Sequence, residues 1–181
     1  MSNIYQLKIT LRDSKPPIWR CVLVEGSTNL FELHQTIQVA MGWTDSHLHQ
    51  FIINKEYYAI PDPYAMRSLK DERRFSLEQV APQENNKLIY EYDFGDSWEH
   101  QILVEKISPP DPSTSYPVCI KGKRACPPED VGGVWGHEGF LEAMSDPNHP
   151  DHDNFLEWWG EPFAPEAFDL EKINLELQRL K

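Results

Sequence analysis

The chain has 181 residues, of which 40% are hydrophobic and 25% charged, and its 17 basic and 29 acidic side chains give a net charge of −12 at pH 7. This hydrophobic share is enough for a packed core and excludes disorder of the whole chain. A surface this acidic repels phosphate groups, which disfavours non-specific binding to nucleic acid and to anionic membranes.

The length predicts a single domain that covers residues 1–181. No apolar stretch approaches the ~20 residues needed to span a bilayer. Residues 1–10 alternate between apolar and polar side chains and lack the pattern of a signal peptide. The three cysteines are too few for a disulfide framework. We therefore expect a cytoplasmic protein that does not associate with membranes.

Residues 1–107 are predicted to form a sheet-rich core. Apolar and polar side chains alternate in several segments of this part, which is typical of half-buried strands. The predicted strands cover residues 5–11, 18–24, 48–54, 87–92 and 98–107. Apolar residues at helical spacing predict one early helix over 30–41, which Gly42 ends.

Residues 108–135 are rich in proline and glycine and are predicted to be a loop without regular structure. A loop of this length in a compact domain is typical of a functional segment. Residues 136–181 are predicted to form a helical cap, whose last helix begins after Asp169. The predicted fold is therefore α+β: an antiparallel sheet of about five strands with one early helix packed on it and a C-terminal helical cap.

Histidines and carboxylates recur where two of the predicted strands begin or end. Positions i and i+2 of a strand point the same way, so His47 and His49 are predicted to present two imidazoles on one face. Asp93 and Asp96 flank a tight turn, and His100 follows. Such groups can hold a divalent cation or act as an acid–base pair. The alternative is structural, with aspartates that close a turn and histidines that belong to the core.

A second set of candidates lies in the predicted loop, at Arg124, Cys126, Glu129 and Asp130. Six residues separate Cys119 from Cys126, which is wider than the spacing of a zinc knuckle. Neighbouring basic residues would lower the pKa of either thiol and make it reactive. The alternative is a loop with two reduced cysteines.

Two strings in these segments are specific to a known family. They are YDFGDSWEH at residues 92–100 and RACPPEDVGG at residues 124–133. Together with segments near both ends, they make nearly the whole chain resemble the plasmid pRiA4b ORF-3-like family. Members often carry a further cysteine after R-A-C-P-P-E-D, where this chain has Val131, and this departure weakens the case for a thiolate metal site.

The resemblance implies a prokaryotic protein found beside mobile elements, and some members are labelled resolvase-like. A serine recombinase needs a basic module that reads DNA and several arginines around the scissile phosphate. The net charge of −12 disfavours that activity for this chain.

The predicted function is a non-catalytic binding or accessory protein linked to mobile elements. It would contact a protein partner or a small ligand through the turn at 93–96 and the loop at 119–133. One alternative is a metal-dependent hydrolase or nuclease-like enzyme that uses the histidine and aspartate candidates. Another is a DNA-binding accessory protein in transposition. No cofactor is predicted, and the alternative is a divalent metal with ligands among His47, His49 and His100.

Overall fold

The computed structural model describes residues 2–181, which form one sheet of eight strands and five α-helices. The strands are β1 Ile4–Leu11, β2 Trp19–Glu25, β3 His49–Ile53, β4 Glu56–Ala59, β5 Lys70–Asp71, β6 Lys87–Tyr92, β7 Trp98–Ser108 and β8 Val118–Lys123. The helices are α1 Leu30–Met41, α2 Leu77–Val80, α3 Gly133–Ser145, α4 His152–Trp159 and α5 Leu170–Gln178. No helix within residues 2–181 is long and apolar enough to cross a bilayer.

The sheet has the strand order β5-β4-β3-β6-β7-β1-β2-β8. Neighbouring strands are antiparallel except for β4 and β5, which are parallel. The alternating apolar side chains of β1 form the centre of the core, where Leu7 and Ile9 are fully buried. The pairing of β3 with β6 places the segment before β3 beside the turn that follows β6.

Helix α1 is fixed at both ends. Asn29 and Glu32 form a reciprocal capping box at its first turn, and Gly42 ends it with a φ of 113°. The buried guanidinium of Arg20 lies at the C-terminal end of α1, where its Nε donates to the carbonyl of Ala40 at 2.7 Å. A cation at this end also interacts favourably with the helix dipole.

The prediction of an α+β fold built on one sheet is confirmed, but the prediction of about five strands is wrong. Strands β4 and β5 are short and lie in a segment whose prolines and mixed charges show no alternation. Strand β8 lies in residues 108–135, which we predicted to be irregular. The prolines of this segment all lie before or after the strand. Val118–Lys123 contains no proline, so its backbone N–H groups can pair with β2.

The structure also has more helices than we predicted, because the C-terminal part forms three helices, α3, α4 and α5, and a short helix, α2, lies between β5 and β6. Helices α3 and α4 pack against each other, whereas α5 packs on β8 and α1. The amide of Asn174 in α5 bonds to both backbone groups of Cys119 in β8. Its Oδ1 accepts from the N–H at 2.8 Å and its Nδ2 donates to the carbonyl at 2.9 Å. Helix α5 thus covers an edge that would otherwise lack a partner strand.

Replacing Asn174 with leucine is expected to lower the free energy of unfolding by about 1–3 kcal/mol, because two backbone groups of β8 lose their partners. Urea unfolding measures the loss. The exposed Gln178 of the same helix supplies the control, since Gln178→Leu is expected to change stability by no more than about 0.5 kcal/mol. Equal effects of the two substitutions would contradict this role of Asn174.

Candidate functional site

Four side chains from three parts of the chain converge beside the start of β3. His47 precedes that strand, Asp93 follows β6, and Glu129 and Asp130 lie in the loop before α3. The Nε2 of His47 is 2.8 Å from Oδ1 of Asp130, 3.5 Å from Oδ2 of Asp93 and 3.9 Å from Oε2 of Glu129. We call these four residues the His47 cluster.

The turn after β6 positions the carboxylate of Asp93. The residue adopts a left-handed φ of 61°, and its own Oδ1 accepts from the N–H of Gly95 at 3.0 Å. This bond is the short-range contact by which aspartate stabilises a turn. The second oxygen, Oδ2, faces His47, and the side chain of Asp93 is only 9% exposed.

The carboxylate of Glu129 is likewise bound to protein donors through only one of its two oxygens. Its Oε1 accepts from the N–H of Thr44 and from the phenol of Tyr92, both at 2.9 Å. Its Oε2 is buried and has no hydrogen-bond partner within residues 2–181. Burial raises the pKa of Tyr92, and the bond to Glu129 raises it further. The phenol therefore stays protonated and remains a donor.

The imidazole of His47 lies between these oxygens. Its Nε2 is buried, and although the Asp130 oxygen is close, the contact lacks the angle of a hydrogen bond. This nitrogen lies near three carboxylates but forms no hydrogen bond in the described part of the chain, so protein groups alone leave a buried polar atom unsatisfied.

Asp96 anchors the loop and does not join the cluster. Its Oδ2 accepts from the N–H of Gly132 at 3.1 Å. Gly133 has a φ of 73°, and a Cβ built on it would lie 2.6 Å from the backbone oxygen of Asp96. The turn and the loop that the sequence marked separately are therefore in direct contact.

His49 belongs to a different cluster from His47. Its Nε2 lies 2.8 and 2.9 Å from the two oxygens of the fully buried Glu72. Its ring stacks on His34, with centroids 3.5 Å apart and planes within 7°. The Nε2 of His34 lies 2.9 Å from Asp45. Donor atoms of His34, Asp45 and His49 lie within 4.8 Å of one another, but the stacking keeps the nitrogen lone pairs of the two rings in separate parallel planes, and both nitrogens of His34 already contact Tyr90 and Asp45.

The predicted sharing of one strand face by His47 and His49 is therefore not observed. Strand β3 begins at His49, so His47 lies outside the regular alternation. Local spacing gave no sign that His34 and Glu72 would surround His49, because they lie on α1 and beside β5.

His100 is also removed from the His47 cluster, because it is fully buried in the core. Its Nδ1 lies 3.2 Å from the carbonyl of Tyr90, and its Nε2 accepts from the indole of Trp43 at 3.4 Å. Both nitrogens are satisfied by a neutral ring. Burial lowers the pKa of His100 to about 4.

Two of the loop candidates are structural. The buried guanidinium of Arg124 donates to Glu166 at 3.0 Å and to the carbonyl of Pro16 at 2.9 Å. Cys126 packs beside Gly42, and burial raises the pKa of its thiol well above the ordinary value. The three cysteines are free, and the pKa of the Cys119 thiol is raised by burial too. This environment does not favour a reactive thiolate.

The stability of the protein is expected to fall in acid partly through His100. Its pKa is about 4 when folded, against 6.5 for the ordinary group, so the unfolded chain takes up a proton between these values and the folded chain does not. The contribution of His100 to the free energy of unfolding has its full value above pH 6.5 and decreases as the pH falls. His100→Gln keeps an acceptor for Trp43 and removes this titration.

The difference in unfolding free energy between wild type and His100→Gln is expected to shrink by about 2 kcal/mol between pH 7.5 and pH 5.0. Urea unfolding at the two pH values measures it, and the difference above pH 7 serves as the reference. A difference that stays constant down to pH 5.0 would contradict the lowered pKa.

Comparison with known proteins places the chain in a family. An uncharacterized protein of Sinorhizobium fredii (strain NBRC 101917 / NGR234), y4hQ, is 40% identical over 161 residues, which are 88% of this chain and 82% of that protein. A crystal structure of a protein of unknown function, MM3350 from Methanosarcina mazei Go1, has a TM-score of 0.86 at 34% identity and covers 94% of this chain and 97% of its own. Residues 3–172 match the sequence profile described as plasmid pRiA4b ORF-3-like protein. The resemblance carried by the two strings is thereby confirmed, and the chain belongs to the plasmid pRiA4b ORF-3-like family.

Proposed function

We propose that this chain is a binding protein that holds a divalent metal ion in the His47 cluster. The observation that carries the proposal is that two carboxylates are each bound to protein donors through only one oxygen. Asp93 and Glu129 each give one oxygen to protein donors, while the other oxygen faces the Nε2 of His47.

The distances support a shared ion. Donor atoms bound to one metal at about 2.1 Å and separated by 90–110° lie about 3.0–3.4 Å apart. The separations of 2.8, 3.5 and 3.9 Å from the His47 nitrogen bracket this range. The donor atoms of His47, Asp93 and Asp130 also lie within 4.8 Å of one another, so these three could share one ion, with the Oε2 of Glu129 farther out at 3.9 Å from the His47 nitrogen.

The donor set favours a particular class of ion. One imidazole with two carboxylates, and a third carboxylate nearby, suits Mn²⁺, Fe²⁺ or Zn²⁺ better than soft ions, which prefer thiolates. Thr44 and Tyr92 orient Glu129 from outside, as the outer partners of metal ligands do. An ion would also offset the repulsion among three neighbouring carboxylates.

A second candidate function is hydrolysis by the bound ion. Asp130 is 66% exposed and His47 30% exposed, so one side of the ion would face solvent. A metal with an open position binds water and lowers its pKa towards neutrality, which produces a nucleophile. This exposure favours the metal-dependent hydrolase among the alternatives.

The same face would serve the binding or accessory role that we predicted from the sequence. The turn and the loop meet there through the bond between Asp96 and Gly132, and Asp130 is exposed beside the ion. Such a surface suits a protein partner or a small ligand and repels a phosphate backbone. We therefore do not propose direct DNA binding.

Isothermal titration of untagged protein with Mn²⁺ and Zn²⁺ tests the ion site. Wild type is expected to bind one ion per chain, and Asp93→Asn is expected to lose at least about ten-fold in affinity because it removes a charged ligand. Asp96→Asn is the matched control, since Asp96 lies in the same turn but outside the cluster, and the asparagine oxygen can still accept from the N–H of Gly132. This variant is expected to leave affinity unchanged. Absence of saturable binding by wild type would reject the proposal, as would equal losses in both variants.

Hydrolysis needs its own measurement. Release of nitrophenol from bis(p-nitrophenyl) phosphate is expected to depend on the added ion, to be lost in Asp93→Asn and to persist in Asp96→Asn. Ion binding by wild type without turnover of this substrate would exclude phosphodiester hydrolysis and leave the ion-binding proposal standing.

A further inference from the structure

A cleft of about 530 Å³ lies between the loop before α3 and the first turns of α4, and we propose that it binds an arginine side chain of a basic partner polypeptide. Apolar, acidic and amide side chains line it, and none of the lining residues is basic. They are Asp130, Val131, Asp151, Asn154, Phe155 and Trp158. Only Asp130 is shared with the His47 cluster, so the inference goes beyond the proposed function and does not depend on a bound ion.

Helix α4 leaves aromatic side chains uncovered beside this cleft. None of its residues is buried, and Trp158 and Trp159 are 50% and 37% exposed. The ring of Trp158 makes edge contacts with Phe140 and Phe155, whose centroids are 6.0 and 6.3 Å away. These contacts orient the indole while half of the residue stays open to solvent. Aromatic side chains grouped at a concave surface mark a binding site more often than single exposed ones do.

The charge around the cleft selects a cationic partner. Residues 125–171 carry twelve acidic side chains and neither lysine nor arginine. Of these twelve, only Glu166 forms an ion pair with an arginine or lysine within residues 2–181. The N-terminus of α4 carries about half a positive charge, but Asp151 and Asp153 both lie there and outweigh it. A surface of this kind attracts cations and repels anions.

The carboxylate of Asp151 is the group in the cleft that remains for a ligand. Asp151 precedes the first turn of α4, but its side chain does not cap the helix. This carboxylate also forms no ion pair or other hydrogen bond in the described part of the chain. Because Asp151 and Trp158 line the same cleft, a cation held there meets both a free carboxylate and an aromatic ring.

Arginine fits this lining better than lysine does. A guanidinium stacks on an aromatic face and at the same time donates from its edge to a carboxylate. Trp158 supplies the face and Asp151 the carboxylate. The ammonium of lysine is compact and strongly hydrated, so it loses more when it leaves water.

The same charges argue against other occupants of the cleft. A second copy of the chain in a two-fold dimer would place this acidic surface against itself. Nucleic acid and anionic membranes would be repelled. A polypeptide segment with several arginines is attracted to the whole acidic region and can seat one side chain on Trp158.

Three short peptides of equal length test this inference, in which arginine, lysine or citrulline alternates with glycine. Citrulline has the shape of arginine but no charge. Metal-free protein, prepared with EDTA, is titrated with each peptide while NMR follows the indole N–H signals. The arginine peptide is expected to shift the Trp158 signal saturably. The signal of Trp135, which is exposed but does not line the cleft, is expected to stay in place.

The three peptides are expected to differ in affinity. The arginine peptide should bind at least about ten-fold more tightly than the citrulline peptide, because only the charged group forms a charge-assisted bond to the carboxylate. It should bind at least about three-fold more tightly than the lysine peptide, because stacking on the indole adds to the charge. Trp158→Leu is expected to remove this preference for arginine over lysine.

Two exposed aspartates at the start of α4 provide matched variants that do not depend on core packing. Asp151→Asn and Asp153→Asn each remove one negative charge there, but only Asp151 lines the cleft. Asp151→Asn is expected to weaken binding of the arginine peptide at least about three-fold, and Asp153→Asn less than about two-fold.

The proposal is overturned if the Trp158 signal shows no saturable shift, or if the lysine or citrulline peptide binds as tightly as the arginine peptide. Equal effects of the two aspartate variants, or equal shifts of the Trp135 and Trp158 signals, would show diffuse attraction by charge and would overturn it too. A dimer in light scattering that Trp158→Leu converts to a monomer would show that a second copy covers the cleft, with the same consequence. Because the protein is metal-free, these results are independent of whether the His47 cluster binds an ion.

Discussion

The carboxylate of Glu129 is the group on which the arrangement of this face depends. It joins the loop before α3 to Thr44 and to the phenol of Tyr92, and these bonds span three separate segments of the chain. Because burial keeps the phenol protonated, Tyr92 always donates to this carboxylate. Loss of the carboxylate would leave that buried hydroxyl without an acceptor and would release the loop that carries Asp130.

The candidate residues could be found from the sequence, but their grouping could not. His47 and Asp93 stood out as candidate cation ligands or acid–base groups, whereas Glu129 and Asp130 stood out only as candidates in the loop, with no cation-binding role. The approach of His47 to Asp93 follows from one register, in which His49 pairs with Tyr92 and the N–H of Asp93 donates to the carbonyl of Leu48 at 2.8 Å. A shift of one residue would reverse the faces, and no local spacing specifies it.

The two main errors have a common physical cause, which is that tertiary contacts decide where a strand begins. His47 was expected to alternate with His49, but Asp45 adopts a left-handed φ of 53° and regular pairing starts only at His49. Strand β8 was expected to be loop because prolines surround it. Pairing with β2 on one side and the Asn174 amide on the other outweighs the weak local preference.

The turn after β6 joins the parts of the chain that form the His47 cluster. Asp93 directs one oxygen to His47, and Asp96 in the same turn accepts from the N–H of Gly132 in the loop that carries Glu129 and Asp130. Aspartate tolerates the left-handed conformation of Asp93, and the bond from the N–H of Gly95 to Oδ1 holds it there, which leaves Oδ2 facing the cluster. The same turn therefore orients one candidate ligand and anchors the loop that supplies the other two carboxylates.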